Sequence, residues 1–281
     1  MGHIDSLPPL VSVEWLASNL DNPDLVILDA SLPLPGAKPQ PESERVQIKN
    51  ARFFDIETTF SDTSTALPHT MPSAEAFAKE AQKLGINSDS LIIVYDNIGL
   101  YSSARPWWMF RAMGHPNVAV LDGGLPAWIK AGYEVEPAHS ESVEPGNFAA
   151  NYQPERINDA QDVLAALNDP DQVVFDARSR ERFLGEVPEP RAGLRGGHMP
   201  NAVSLPFMSI QEGNKMLPQP ELERIYGGLA DKKQHLIFSC GSGVTACVLA
   251  LGAELAGYEN LSVYDGSWSE WGLPSDLPVT T

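Results

Sequence analysis

The sequence predicts an α/β protein built from two tandem domains, each a mostly parallel sheet flanked by helices. Three observations predict it. Short apolar runs alternate with helical patterns along the chain, the pattern of parallel strands joined by helical crossovers. The 281 residues suffice for two hydrophobic cores of ordinary size. Most decisive, the second half of the chain repeats the first.

The repeat is carried by three landmarks in the same order. Ser12 to Asp29 and Asn158 to Asp176 each read as a polar-capped helix, a turn with Asn and Pro, and a strand ending in aspartate. Leu-Ile-Ile-Val-Tyr-Asp96 then parallels Leu-Ile-Phe-Ser-Cys240, and Val118 to Trp128 parallels Leu261 to Trp271. The offsets are 147 residues (Asp29 to Asp176), 144 (Asp96 to Cys240) and 143 (Asp122 to Asp265), which small loop insertions explain. The expected organisation is an N-terminal non-catalytic domain over 1–136, a linker over 137–156 rich in Pro and Glu (Glu141 and Glu144 among them), and a C-terminal catalytic domain over 157–281. In the second half, strands are expected near Val173–Phe175, Ala202–Ser204, Leu236–Phe238 and Leu261–Tyr264. Helices are expected near Asp159–Leu167, Glu221–Gly227 and Val244–Ala256.

Composition narrows the function. A formal charge of −18 would repel nucleic-acid phosphates, so no nucleic acid is expected as a partner. Two cysteines, Cys240 and Cys247, rule out a disulfide framework, and six scattered histidines give no Cys/His metal pattern. The first residues lack a basic region followed by an apolar run, and no stretch is long enough to span a bilayer. A cytoplasmic protein, monomeric on its acidic surface and modest apolar content, is the expectation.

The chemistry centres on Leu236-Ile-Phe-Ser-Cys240-Gly-Ser-Gly-Val-Thr245-Ala-Cys-Val-Leu. A buried strand ends at a cysteine, a glycine loop follows, and a helix begins. Gly241 and Gly243 let the backbone curl so that N–H groups point inward, and the helix start adds positive potential. Such a place favours a thiolate. The equivalent residue of the first half is Asp96, with no Gly-Ser-Gly cradle after it, so that half reads as a non-reacting copy supplying scaffold and one wall of a cleft. A Cys-x5-Arg phosphatase needs an arginine where Ala246 stands, which disfavours phosphoryl transfer. A cysteine hydrolase or acyltransferase would need a histidine base, which nothing local supplies.

Cys-Gly-Ser-Gly-Val-Thr-Ala, with Tyr-Asp-Gly-Ser-Trp-Ser-Glu-Trp271 after it and a duplicated domain before it, resembles the tandem rhodanese family. Phe-Phe-Asp-Ile-Glu57, Tyr-Ser-Ser-Ala-Arg105-Pro-Trp-Trp and Arg182-Phe-Leu-Gly-Glu-Val-Pro-Glu-Pro-Arg191 extend the resemblance over nearly the whole chain. It implies a sulfurtransferase without cofactor, in which Cys240 takes sulfur from 3-mercaptopyruvate, holds it as a persulfide and releases pyruvate. A thiol (thioredoxin or a small thiol) or cyanide then accepts the sulfur. Thiosulfate:cyanide sulfur transfer is the rival reaction, and a non-catalytic sulfur carrier the non-enzymatic alternative. The uncharged loop residues favour a monoanionic 2-oxo acid over the thiosulfate dianion.

The resemblance also assigns roles. Arg182 and Arg191 bind the carboxylate and keto oxygens, for which the guanidinium fork is suited. Without it, a surface pairing with Glu181, Glu186 or Glu189 would be the ordinary fate of these arginines. Gly241, Gly243, Val244 and Thr245 surround the reacting sulfur, with Thr245 capping the helix start or donating into the loop. Ser242, His69 and Glu57 map onto a proton relay, with Asp62 as an alternative acid. Trp107, Trp108 and Phe110 read as core, Trp268 and Trp271 as pocket walls without chemistry, His198 and the neighbouring arginines as structural, and Cys247 as buried and inert.

Overall fold

Each half of the chain folds around a five-stranded sheet whose strands all run parallel. The computed structural model describes residues 6–38, 40–140 and 142–281. In the first half, strands β1 (Leu10–Val11), β2 (Leu25–Asp29), β3 (Arg52–Phe53), β4 (Leu91–Tyr95) and β5 (Val118–Leu121) lie in the order β1-β5-β4-β2-β3. In the second, β6 (Ile157–Asn158), β7 (Gln172–Asp176), β8 (Val203–Ser204), β9 (His235–Ser239) and β10 (Leu261–Tyr264) lie in the order β6-β10-β9-β7-β8. The two orders are the same order. The duplication read from three landmarks therefore extends to the whole topology, and the fold is α/β as expected.

The expected strands are present, each within one or two residues of its predicted ends. The central strands β4 and β9 are apolar almost throughout, because both faces of a parallel sheet are covered. Alternate side chains serve opposite faces. Ile93 and Tyr95 join Val13 and Leu16 of helix α1 (Val13–Asn19) in one core cluster. The aromatic rings of Phe54, Phe60, Phe77, Phe110 and Phe148 form another, in successive contacts 3.7–6.3 Å apart. Phe77 belongs to α2 (Ala74–Lys83) and Phe110 to α3 (Ala104–Ala112). The remaining helices are α4 (Gly124–Lys130), α5 (Ala160–Ala166), α6 (Arg180–Phe183), α7 (Gln219–Gly227), α8 (Ala246–Leu255) and α9 (Ser267–Trp271). The caps follow from sequence. Ser12 Oγ accepts the Trp15 N–H, and Asp159 forms a capping box with Asp162.

Two compact units result, one of residues 1–61 with 71–153, the other of residues 62–70 with 154–281. The segment expected as a linker packs onto the first unit as far as Gln153. Gly146 N–H donates to Gln82 O (2.8 Å), Phe148 N–H to Ile86 O (3.0 Å) and Gln153 N–H to Ala112 O (2.7 Å). A side chain on Gly146 would stand only 2.0 Å from Ile86 O, so the close approach requires glycine. Phe148 is buried among Phe77, Phe110 and His115, worth about 2–3 kcal/mol of apolar burial. Glu141, part of the predicted linker, lies outside the described residues. Trp107, Trp108 and Phe110 are fully buried, as read. No helix among the described residues is long and apolar enough to cross a membrane.

Candidate active site

Parallel sheets present their loops at the carboxyl ends of the strands, and Cys240 stands directly after β9. It is 2% exposed, and its backbone is gripped from two sides. Its N–H donates to Ser267 Oγ (3.1 Å), and its carbonyl accepts the Trp268 N–H (2.9 Å). Ser267 in turn donates to Tyr264 O (2.8 Å) and sits at φ 48°, a left-handed conformation that costs a non-glycine residue energy. The Gly241 carbonyl accepts both the Ser269 N–H (2.8 Å) and the Ser269 hydroxyl (2.6 Å). The start of α9 therefore clamps the turn that carries Cys240. Sequence reasoning missed Ser267 and Ser269, although both stand in the Asp-Gly-Ser-Trp-Ser stretch. The signal was the first-half counterpart of Ser267, Gly124, which is also left-handed at φ 55°.

The glycines of the loop act differently from one another. Gly243 has φ 77° and makes the turn that L side chains resist. Gly241 has no such conformation; it is small because a guanidinium lies against it. A methyl group at position 241 would stand 3.2 Å from Arg182 Nη2 and 3.9 Å from Arg191 Nη1. The structure thus brings both predicted arginines to the cysteine loop. Arg182 also forms the ion pair named as its ordinary fate, 2.6 Å from Glu189, so the pairing and the approach to the loop coexist. Arg191 is exposed.

Val244 is buried and Thr245 half-buried at the start of α8. Thr245 does not cap that helix. It has helical φ and ψ, and its hydroxyl makes no capping bond, because an effective cap needs an extended backbone. Among the described residues the N–H groups of Ser242, Thr245 and Ala246 donate to no main-chain carbonyl. They remain for an anion at the loop.

Ser242 is buried, and its Oγ lies 2.9 Å from His69 Nδ1. His69 has φ 59°, so two of the four left-handed non-glycine residues among the described ones, His69 and Ser267, are in this site. Strain concentrated in this way marks positions whose orientation matters. Glu57 belongs to the other unit, where it is exposed in a turn with its N–H on Asp55 Oδ1 (2.9 Å). Asp62 lies on the same loop as His69 with Oδ1 held by Ser64, whose hydroxyl and N–H keep its carboxyl below the usual range. Cys247 is fully buried, with its thiol on Gly243 O (3.3 Å). Trp268 and Trp271 are core residues of the C-terminal unit. His198 bridges to Thr280 and stacks on Phe183, and Arg195 bonds the carbonyls of Trp271 and Leu277. No group of side chains that could hold a metal ion occurs among the described residues.

The first half shows what the loop is built for. Asp96 follows β4 as Cys240 follows β9, and its carbonyl accepts the Leu125 N–H as that of Cys240 accepts the Trp268 N–H. Its side chain is fully buried and receives five main-chain N–H groups. Ile98 and Gly99 bond Oδ1 (2.9 and 2.7 Å), and Tyr101, Ser102 and Ser103 bond Oδ2 (3.0, 2.9 and 2.8 Å). Asp96 has no Gly-Ser-Gly sequence after it, yet its loop cradles an anion all the same. The loop forms an anion nest without the Gly-Ser-Gly sequence, because its longer chain supplies the donors.

Two copies of one parallel fold, each with a loop and helix after its central strand, and only one with a cysteine at the strand end, define a tandem protein of the rhodanese class. The chain belongs to the rhodanese family, whose rhodanese-like domain matches residues 12–131 and 159–273. It is 39% identical over 273 residues to a 3-mercaptopyruvate sulfurtransferase of Escherichia coli K12, covering 96% of each chain. It is 40% identical over 300 residues to thiosulfate/3-mercaptopyruvate sulfurtransferase 1, mitochondrial, of Arabidopsis thaliana, covering 98% of this chain and 79% of that one. A crystal structure of an Escherichia coli 3-mercaptopyruvate sulfotransferase superposes with a TM-score of 0.83 at 36% identity, covering 94% of this chain and all of that one.

Proposed function

We propose that the protein transfers sulfur from 3-mercaptopyruvate to a thiol or cyanide through a persulfide on Cys240. One observation carries this reading: two guanidinium groups lie against Gly241, beside the only cysteine that stands in an anion-receiving loop. A 2-oxo acid needs paired donors for its carboxylate and keto oxygens, and arginine forks supply them. The relatives' names agree with this substrate.

In the first step the Cys240 thiolate attacks the sulfur of 3-mercaptopyruvate. The S–S bond forms as the C–S bond breaks, and the bonding pair leaves on carbon as the pyruvate enolate. The substrate's thiol proton passes through Ser242 and His69 to that carbon, giving pyruvate and an anionic persulfide. Free N–H groups of the loop hold the charge on sulfur in every state. A thiol acceptor or cyanide then attacks the outer sulfur and returns Cys240 as thiolate. Thioredoxin and small thiols are the thiol acceptors proposed, in the reducing environment of a cytoplasm.

The test is mass spectrometry of the protein after incubation with 3-mercaptopyruvate, together with assay of pyruvate. One added sulfur on Cys240, none on Cys247, and pyruvate released in step support the reading. Pyruvate release by the Cys240→Ser variant overturns it. Thiosulfate as the better sulfur donor, by kcat/KM, moves the protein to the second reaction, which the name of the Arabidopsis relative includes.

A further inference from the structure

The two halves share the aspartate that ends their second strand, but they use it differently. In the first half Asp29 Oδ1 accepts the Ser31 N–H (2.9 Å) and hydroxyl (2.5 Å), and Ser31 Oγ accepts the Asn97 N–H (2.9 Å). That chain of bonds ends on the backbone beside Asp96. In the second half the residue two beyond the aspartate is Arg178, not serine. Its guanidinium is fully buried, bonds Asp176 (2.7 Å) and lies 4.1 Å over the Trp268 ring. From Arg178 Nη1 the chain continues to Glu189 Oε1 (3.0 Å). The Glu189 side chain, 2% exposed, also takes Arg182 Nε on Oε1 (3.2 Å) and Arg182 Nη2 on Oε2 (2.6 Å). Arg182 then stands at Gly241.

The charges along this ladder alternate: Asp176 negative, Arg178 positive, Glu189 negative, Arg182 positive. They cancel. Among the described residues Arg191 has no acidic partner, so the arginines facing the loop present one net positive charge rather than two. Glu270, the nearest acid of α9, has its carboxylate on the Tyr264 hydroxyl (2.7 Å), turned to other work.

We propose that Glu189 is a specificity-determining and positioning residue: it fixes Arg182 over the Cys240 loop and trims the local charge to suit a monoanionic 2-oxo acid rather than the dianion thiosulfate. Arg182 keeps its hydrogen-bonding geometry for a carboxylate, while its charge is already answered. A dianion placed there meets one uncompensated cation and is left short of one charge. This proposal rests on the reading of Arg182 as a carboxylate-binding residue.

The experiment compares kcat/KM for 3-mercaptopyruvate and thiosulfate in the wild-type protein, Glu189→Gln and Glu189→Asp. Gln keeps the shape and removes one negative charge. The ratio of the two constants should move toward thiosulfate by about tenfold or more, while Glu189→Asp, which keeps the charge, should hold most of the original preference. An unchanged ratio in Glu189→Gln, or an equal fall for both sulfur donors, overturns the proposal, because a scaffolding carboxylate would affect them alike. Should Glu189→Gln not fold, inhibition of the unaltered protein decides. Pyruvate should compete with 3-mercaptopyruvate at lower concentration than sulfate, and sulfate competing as well as pyruvate overturns the proposal. Arg182→Ala separates the two levels. If it leaves KM for 3-mercaptopyruvate unchanged, the reading of Arg182 fails; if it raises that KM while Glu189→Gln leaves the ratio alone, only the role of Glu189 fails.

Discussion

The loops after β4 and β9 are one device in two states. Around Asp96 five N–H groups close on a carboxylate that belongs to the chain itself. Around Cys240 the loop reaches its helix in five residues rather than seven, and N–H groups of Ser242, Thr245 and Ala246 have no carbonyl to bond. The difference teaches what the second loop lacks. An anion nest filled by its own aspartate has no capacity left, whereas the loop after β9 keeps unbonded N–H groups that the proposed mechanism uses for charge arriving during a reaction.

The comparison can be broken most severely at the nucleophile. Cys240→Ser should abolish pyruvate release, a loss of more than about 10³-fold, with the circular dichroism of the fold retained. A thiol alone should not transfer the activity, because Arg182, Arg191 and His69 stand at the other loop: Asp96→Cys in the Cys240→Ser background should take up no sulfur by mass spectrometry. Next comes the cost of emptying the first nest. Asp96→Ala leaves buried N–H groups without an acceptor, and urea unfolding should report about 3–5 kcal/mol lost from the N-terminal unit. Smaller again is the loss of one substrate contact. Arg182→Ala and Arg191→Ala should each raise KM for 3-mercaptopyruvate with kcat less affected, by about 1–3 kcal/mol in steady-state kinetics.

The smallest effect sharpens the comparison between the units as folded bodies. Burial lowers His115 in the first unit and His235 in the second below the ordinary value of 6.5. Below that pH the unfolded chain binds a proton that each folded unit resists, so stability should fall as pH drops from 6.5. Hydrogen exchange resolved by unit should show His115→Gln flattening that fall in the N-terminal unit alone.

The fold and the strand–cysteine–loop–helix arrangement around Cys240 were legible because both are written in local patterns. Apolar runs, glycine spacing and the repeat fix strands and loop, and the one departure within the repeat, cysteine for aspartate, points at the reacting atom. Arg182 and Arg191 were reached only through resemblance, since nothing in an exposed Arg-and-Glu segment says which ion pair also faces a loop. Glu189 was visible only as an alternative partner, because its importance lies in joining two arginines that are four residues apart. Of the two roles offered for Thr245, the cap fails: a threonine before a helix caps it only if its backbone is extended, and here it is not. Ser267 was hidden because its role depends on a left-handed backbone, which sequence signals with glycine and here does not.

Residues 62–70 are encoded within the first half yet fold as part of the second, and they carry the imidazole that meets Ser242. A gene trimmed to 154–281 would therefore keep Cys240 and lose His69, the imidazole that the proposed mechanism uses to carry the proton. On the proposed mechanism the half without a thiol is then indispensable, because its stretch of chain delivers His69 to the unit that holds Cys240.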